Sequence, residues 1–214
     1  RSLLRYIGEE GRPILLSTGA SEWGDIDRSV DVLNATGSEF LLMHCTASYP
    51  TVDGEINLRV LPELARRYTC PVGFSDHSLG VEIALGAVAL GAIVVEKHFT
   101  IDRDLPGGDN DISILSEELR TLVEQGTRIT AAMGQKERSL TPAEKELQPI
   151  MRRSLVAAHS LSAGDVIERR NLIIVRPGTG IEPDAVDKVV GRPLQCEVEA
   201  GQVLTWDMLG KMAP

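Results

Sequence analysis

The sequence predicts an α/β protein: half of a (β/α)8 TIM barrel, about four βα units, followed by a small β-rich domain. Three observations carry this expectation. Short apolar runs alternate four times with amphipathic helical patterns over residues 1–133, and each apolar run ends in polar residues. From Arg153 onward the texture changes to short β-type runs broken by Gly and Pro. Near-continuous apolar strands between helices mark a parallel sheet covered by those helices. A complete barrel of roughly 250 residues spends about 31 on each unit. Four strands in 133 residues give about 33 each, so half a barrel is expected.

Each element follows from local pattern. Residues 13–19, Pro-Ile-Leu-Leu-Ser-Thr-Gly, form a buried strand that ends in small polar residues. Ser21 is expected to cap a helix over residues 22–34, with Ile26, Val30 and Leu33 on one face. Residues 40–46 read as a second strand. A helix carrying Leu58, Leu61, Leu64 and Ala65 follows, in which Pro62 is tolerable only in the first turn. Residues 72–77 form a third strand, and a Gly/Ala-rich helix is expected from Ser78 to Leu90. Residues 92–98 form the fourth. The last helix of this part is expected from Ser116, as cap, to Met133. A doubly wound sheet would carry a Gly-rich phosphate loop after its first strand, and Ser17-Thr18-Gly19-Ala20-Ser21 is not one. In a barrel the active site is built from the C-terminal strand tips. All four strands end that way, in Ser17-Thr18, His44-Cys45-Thr46, Ser75-Asp76-His77 and Glu96-Lys97-His98.

Residues 134–152 read as a linker holding a short helix, because Thr141-Pro142-Ala143-Glu144 is a capping box with Pro at the first helical position. Residues 153–214 form the small domain, which contains an internal repeat. Ala163-Gly164-Asp165-Val166-Ile167 recurs 37 positions later as Ala200-Gly201-Gln202-Val203-Leu204, and Leu172 maps onto Leu209. Each copy reads as a tight Ala-Gly turn, an extended pair and a short helical turn.

Composition narrows the function. Hydrophobic residues make up 43% of the 214 and charged residues 25%, as in an ordinary globular chain. Lys plus Arg number 22 against 31 Asp plus Glu, a formal charge of −9. Such a chain has no electrostatic footprint for nucleic acid or anionic lipid, so an anionic substrate needs local positive groups or a metal. The longest uncharged apolar run, Ile83–Val95, is 13 residues, short of the roughly 18 that span a bilayer. Three scattered cysteines (45, 70, 196) lack disulfide or metal spacing and fit a reducing compartment. The N-terminus has no signal-peptide layout, and a cytoplasmic location is expected.

The strongest chemical constellation is His77 and His98. Each ends a strand, and one βα crossover separates them, so adjacent parallel strands would set the imidazoles side by side at the barrel mouth. Such a pair suits a divalent metal completed by carboxylates or water; polar mouth residues satisfied by hydrogen bonds are the alternative. Asp76 and Glu96 flank the histidines, and alternation assigns both a supporting role. Lys97 is expected to point toward the helices. His44 reads as structural and His159 as a surface residue. The acidic, Gly/Pro-rich loop 102–111 lies where a lid would be, though a solvated loop reads equally well. Arg176-Pro177-Gly178-Thr179-Gly180 is a rigid loop presenting one Arg, suited to a polar substrate group or simply a surface turn.

Taken together, four segments resemble the sialic acid synthase family (N-acetylneuraminate synthases and their legionaminate and pseudaminate relatives). They are residues 44–50 (His-Cys-Thr-Ala-Ser-Tyr-Pro), 73–77 (Gly-Phe-Ser-Asp-His), 96–100 (Glu-Lys-His-Phe-Thr) and 106–109 (Pro-Gly-Gly-Asp). The tail, with residues 176–180 and the Ala-Gly repeats, resembles the SAF (antifreeze-like) domain that follows the barrel in those enzymes. The resemblance implies the C-terminal half of the barrel and a metal-dependent condensation of phosphoenolpyruvate with N-acetylmannosamine or a related N-acetylated amino sugar, releasing phosphate. It implies that His77 and His98 hold the divalent ion, Mn2+ or Mg2+. It also places Ser75 against phosphoenolpyruvate, Tyr49 in the substrate site and Asp109 beside the sugar as a catalytic carboxylate. Arg176 would reach the sugar's N-acetyl group across a domain-swapped homodimer. Ala47 stands where some members have Asn, and the loop reads Gly108-Asp109-Asn110-Asp111 where many have Pro before the Asp and His after it. Those departures leave the sugar open, legionaminate and pseudaminate precursors included. Members carry about four further βα units ahead of the point where Arg1 falls, with lysines for the phosphate. The chain is therefore expected to be N-terminally truncated and inactive alone. Competing readings are a non-catalytic half-barrel that binds sugar or a partner, and a metal-dependent aldolase.

Overall fold

Apolar residues at alternate strand positions and at helical spacing lay one face of a parallel sheet against a layer of helices. A computed structural model describes residues 2–211. It begins with α1 (Ser2–Glu9) and continues β1 (Ile14–Ser17), α2 (Trp23–Thr36), β2 (Phe40–Cys45), α3 (Asp53–Ile56), α4 (Val60–Tyr68), β3 (Val72–Asp76), α5 (Glu82–Ala89), β4 (Val94–Lys97) and α6 (Ser116–Met133). The strands pair in sequence order, all parallel. Leu42 on β2 and Val72 and Phe74 on β3 pack against Ile26 and Val30 of α2, Leu61 and Leu64 of α4 and Ala87 of α5. Fully burying each large apolar side chain contributes about 1.5–3 kcal/mol, so this layer holds the sheet in place. Gly73 faces the other way; a Cβ there would lie 3.2 Å from the Leu41 side chain and 3.0 Å from the Val94 carbonyl. A side chain there would press on both neighbours.

Three helix starts differ from the expected ones, each for a local reason. The α2 cap is Glu22 rather than Ser21: the Ser21 hydroxyl donates back to the Gly19 carbonyl, and the Asp25 carboxylate accepts the Glu22 N–H at 3.2 Å. The helix after β3 begins at Glu82, not Ser78. Both Ser78 donors are taken by Asp76, and Gly80 turns the chain through the left-handed region at φ 69. Ser116 is the first helical residue of α6 and Leu115 its cap. The Leu115 N–H donates to Glu118 at 2.8 Å, which holds that carboxyl below its ordinary range. Pro62 falls in the first turn of α4, where an N–H would have no helical partner.

By its internal contacts the chain divides into two compact units, residues 1–135 and 136–214. The second contains α7 (Pro142–Met151), β5 (Ser154–Ala157), β6 (Leu172–Val175) and α8 (Val186–Val189), with β5 and β6 antiparallel. The Thr141–Glu144 capping box is present: Thr141 Oγ1 accepts the Glu144 N–H at 3.2 Å, and the Glu144 carboxylate accepts the Thr141 N–H at 2.8 Å. The segment expected as a linker thus contains α7, whose Pro149 carbonyl accepts the Gly178 N–H at 2.7 Å. Leu155, Ile167, Ile181, Val189, Leu194, Val198 and Leu204 form this unit's own core.

The internal repeat is a structural one. Gly164 and Gly201 turn the chain at φ 93 and 83. Asp165 accepts the Ser162 N–H and Gln202 accepts the Glu199 N–H, both at 2.8 Å. Ile167 and Leu204 occupy equivalent, fully buried positions. Each is followed by one 3-10 turn, Arg169–Asn171 and Trp206–Met208. Among the described residues no helix is long and apolar enough to cross a membrane.

Candidate active site

Strand register brings the two histidines together. Ser75 pairs with Glu96 and Asp76 with Lys97 at the ends of β3 and β4, so the next residues leave the sheet as neighbours. The His77 and His98 ring centroids lie 5.3 Å apart, tilted by 57°. His77 is buried, and its Nδ1 lies 2.9 Å from the Thr46 carbonyl oxygen. A carbonyl carries no proton, so Nδ1–H donates, which leaves Nε2 as the nitrogen facing the cleft that can offer a lone pair. Cys45 Sγ sits 3.9 Å from the same Nδ1.

Tyr49 covers both imidazoles, its ring 4.2 Å from that of His77 and edge-on to His98 at 5.7 Å. Its loop is pinned by the Thr51 N–H, which donates to the His77 carbonyl at 3.0 Å, and by the Thr51 hydroxyl, which donates to Ser48 O at 2.7 Å. Asp109 Oδ2 stands 3.8 Å from His98 Nδ1. Its loop is braced by Ser113, whose hydroxyl donates to the Asp109 carbonyl, and by Asn110, whose amide donates to Leu105 O. Ser75 is buried, and its hydroxyl donates to Glu96 Oε1 at 2.8 Å. Ser75, His77, Glu96 and His98 help line a cleft of about 250 Å³. The structure therefore groups Tyr49, Ser75, His77, His98 and Asp109. Arg176 lies in the second unit, exposed, where its Nε donates to the Met151 carbonyl.

Glu96 has the supporting role expected of it, and the structure adds the face on which it acts. It stands two residues before His98, so alternation puts it on the same face as the histidine, where it meets Ser75; Asp76 stands one residue before His77 and points away. Lys97 points toward the helices, as expected, and makes a buried ion pair with Asp76 at 2.9 Å, the side chains 3% and 1% exposed. His44 is structural: its Nε2–H donates to Ile56 O, its ring packs near Phe74, and burial lowers its pKa from 6.5. His159 is exposed.

Among the described residues no group of three or more His, Cys, Asp or Glu is arranged to hold a metal ion. Two imidazoles with a carboxylate nearby make a partial donor set, of the kind that suits a divalent ion whose other positions are filled by water or substrate. A larger groove between α5 and α6, about 530 Å³, is lined by Leu119, Leu122, Val123 and Met133 and offers no reactive group.

The sequence pattern of the NeuB family matches residues 1–138. The chain belongs to the NeuB family. A SAF domain follows at residues 152–210. Among this NeuB chain's relatives is the N,N'-diacetyllegionaminic acid synthase of Legionella pneumophila, 34% identical over 95% of this chain and 59% of that one. The enzyme of that name from Campylobacter jejuni is 36% identical over 88% of this chain and 58% of its own length. The solved N-acetylneuraminic acid synthetase of Leptospira borgpetersenii superposes with a TM-score of 0.66 at 38% identity, over 68% of this chain and 51% of that one. The chain thus spans about three fifths of the length of these curated relatives.

Proposed function

We propose that this chain supplies the two-histidine side of the active site in a sialic acid synthase-type enzyme. That enzyme would condense phosphoenolpyruvate with N-acetylmannosamine or a related N-acetylated amino sugar. The carrying observation is the convergence of His77 and His98, one tautomer fixed by Thr46, beneath Tyr49 and beside Ser75 and Asp109. In the proposed reaction the methylene carbon of phosphoenolpyruvate bonds to the sugar's open-chain aldehyde. Water adds at the adjacent, phosphate-bearing carbon, and phosphate leaves with its bridging oxygen by C–O cleavage. His77, through Nε2, and His98 would hold the divalent ion, Mn2+ or Mg2+, which when bound supplies Lewis acidity toward the aldehyde oxygen.

The chain's own residues do the rest of this half of the work. Ser75 contacts phosphoenolpyruvate, its hydroxyl turning from Glu96 Oε1, to which it donates in the free chain, to the bound anion. Tyr49 packs its ring against both imidazoles and offers a flat face to the substrate. Asp109 accepts hydrogen bonds from the sugar. Arg176 grips the N-acetyl oxygen from the partner copy of a domain-swapped homodimer. The sugar's identity admits a second reading, supported by the two legionaminic acid synthase relatives and the divergent loop at residues 108–111: a diacetylated diamino sugar in place of N-acetylmannosamine.

The test is phosphate release from phosphoenolpyruvate with Mn2+ and each sugar in turn. A barrel completed by units bearing phosphate-binding lysines is expected to turn over, and His77→Ala or His98→Ala to slow it by about 100-fold or more. The isolated 214-residue chain is expected to be inactive, because the one Lys lining its cleft is committed to Asp76. Robust turnover by that chain would overturn this expectation. Pyruvate formation or use without phosphate release would replace the synthase by an aldolase.

A further inference from the structure

The pair behind the histidines is costly and unexplained by packing. Asp76 and Lys97 are cross-strand partners on the helix-packed face, one residue before His77 and one before His98. Their side chains are almost wholly buried and meet at 2.9 Å. Replacing such a pair with apolar side chains is often neutral or stabilising, so stability alone is a weak reason for it. Its remaining hydrogen bonds all go to one place, the residue after His77. Lys97 Nζ donates to the Ser78 carbonyl at 2.6 Å, and Asp76 Oδ1 accepts both the Ser78 N–H at 2.8 Å and the Ser78 hydroxyl at 2.6 Å. Ser78 is itself 1% exposed.

The chain is therefore tied down immediately before and after His77, and the tie is anchored on the residue that precedes His98. We propose that Asp76, Lys97 and Ser78 form a clamp that sets the separation and orientation of the two imidazoles. They are positioning residues, acting through His77 and His98 without touching substrate. With β3 and β4 locked at this pair, the His77 ring has one way to leave the sheet, the one that sends its Nδ1–H to Thr46. The carbonyls of both histidines are held in turn, by the Thr51 and Ile114 N–H groups. The relevance to metal chemistry rests on the function proposed above; the geometric claim does not.

The experiment follows imidazole NMR signals in the full 214-residue chain without metal. Unaltered protein is expected to show His77 as the Nδ1–H tautomer with a His77–His98 ring-to-ring contact. In the double variant Asp76→Leu, Lys97→Met, which swaps the pair for apolar side chains, the fold is expected to persist while the tautomer signal averages and the ring contact is lost. Ser78→Ala, a milder change, is expected to shift both signals in the same direction by less. Wild-type tautomer and ring contact in both variants would overturn the clamp. So would a double variant that fails to fold, because the pair would then be a stability element. Separately, Mn2+ broadening of the two rings in unaltered protein tests the metal reading. If that holds, the double variant should weaken Mn2+ binding by about 10- to 100-fold. If it fails, the metal assignment falls and the tautomer result still stands or falls by itself.

Discussion

His44 and His77 show how environment divides one residue type into two jobs. Both end in contact with a backbone carbonyl, but His44 donates through Nε2 to Ile56 and His77 through Nδ1 to Thr46. His44 lies on the helix-packed face beside Phe74, where burial pushes its pKa down more than the hydrogen bond to Ile56 raises it. The sign of its contribution follows. Unfolded His44 protonates near 6.5 while the buried ring stays neutral, so its stabilisation is complete above that pH. It is lost as pH falls through the lower folded-state value. Denaturant midpoints measured from pH 7.5 to 5 are expected to decline, and His44→Gln, which keeps an N–H for Ile56, is expected to flatten that decline. The slope at stake is at most about 1.4 kcal/mol per pH unit, the value for one proton. The two histidines at the strand ends were legible from sequence because strand-end position and one-crossover spacing are topological. The tautomer of His77 was not, since Thr46 and Tyr49 reach it through an irregular loop that no periodicity describes.

At the scale of elements, strands and long helices followed their apolar patterns, while helix starts shifted by one to four residues. The reason is competition for the first donors: Ser21 spends its hydroxyl on Gly19, and Ser78 spends both donors on Asp76. A side chain that can cap a helix can equally bond a turn, and sequence alone does not show which partner is nearer. The loop after β6 illustrates the stakes. Ser154, fully buried on β5, donates its hydroxyl to the Pro177 carbonyl and accepts the Gly180 N–H. Ser154→Ala would strand both groups, at a cost of about 1–3 kcal/mol, seen as a lowered denaturant midpoint. Gly180 is equally constrained, because a Cβ there would collide with Val203 and the Leu204 carbonyl. Thr141→Ala removes one half of the α7 capping box, whose Glu144 carboxyl is held below its ordinary range chiefly by the Thr141 N–H. A loss of about 1 kcal/mol is expected from the same measurement.

At the scale of the molecule, the parallel sheet and the small β-rich unit were both legible, because barrel strands and Gly-punctuated β segments have different textures. The boundary between the units was less so, since α7 has an amphipathic pattern of its own and nothing local says that Pro149 will accept a bond from Gly178. The second unit owns a core reaching from Leu155 to Leu209. Residues 136–214 expressed alone are therefore expected to fold, with slow amide exchange at Leu155, Leu161 and Leu204. Uniformly fast exchange there would mean that the core needs the rest of the chain.

The doubled turn of that unit has a practical consequence. Asp165 and Gln202 perform one task in two places, each receiving the amide three residues before it while a left-handed glycine precedes it. Exchanging them, Asp165→Gln with Gln202→Asp, should leave the thermal midpoint almost where it was, whereas Ala at either position should lower it. The unit can then be treated as one design used twice, so that a lesson learned by mutating one half transfers to the other.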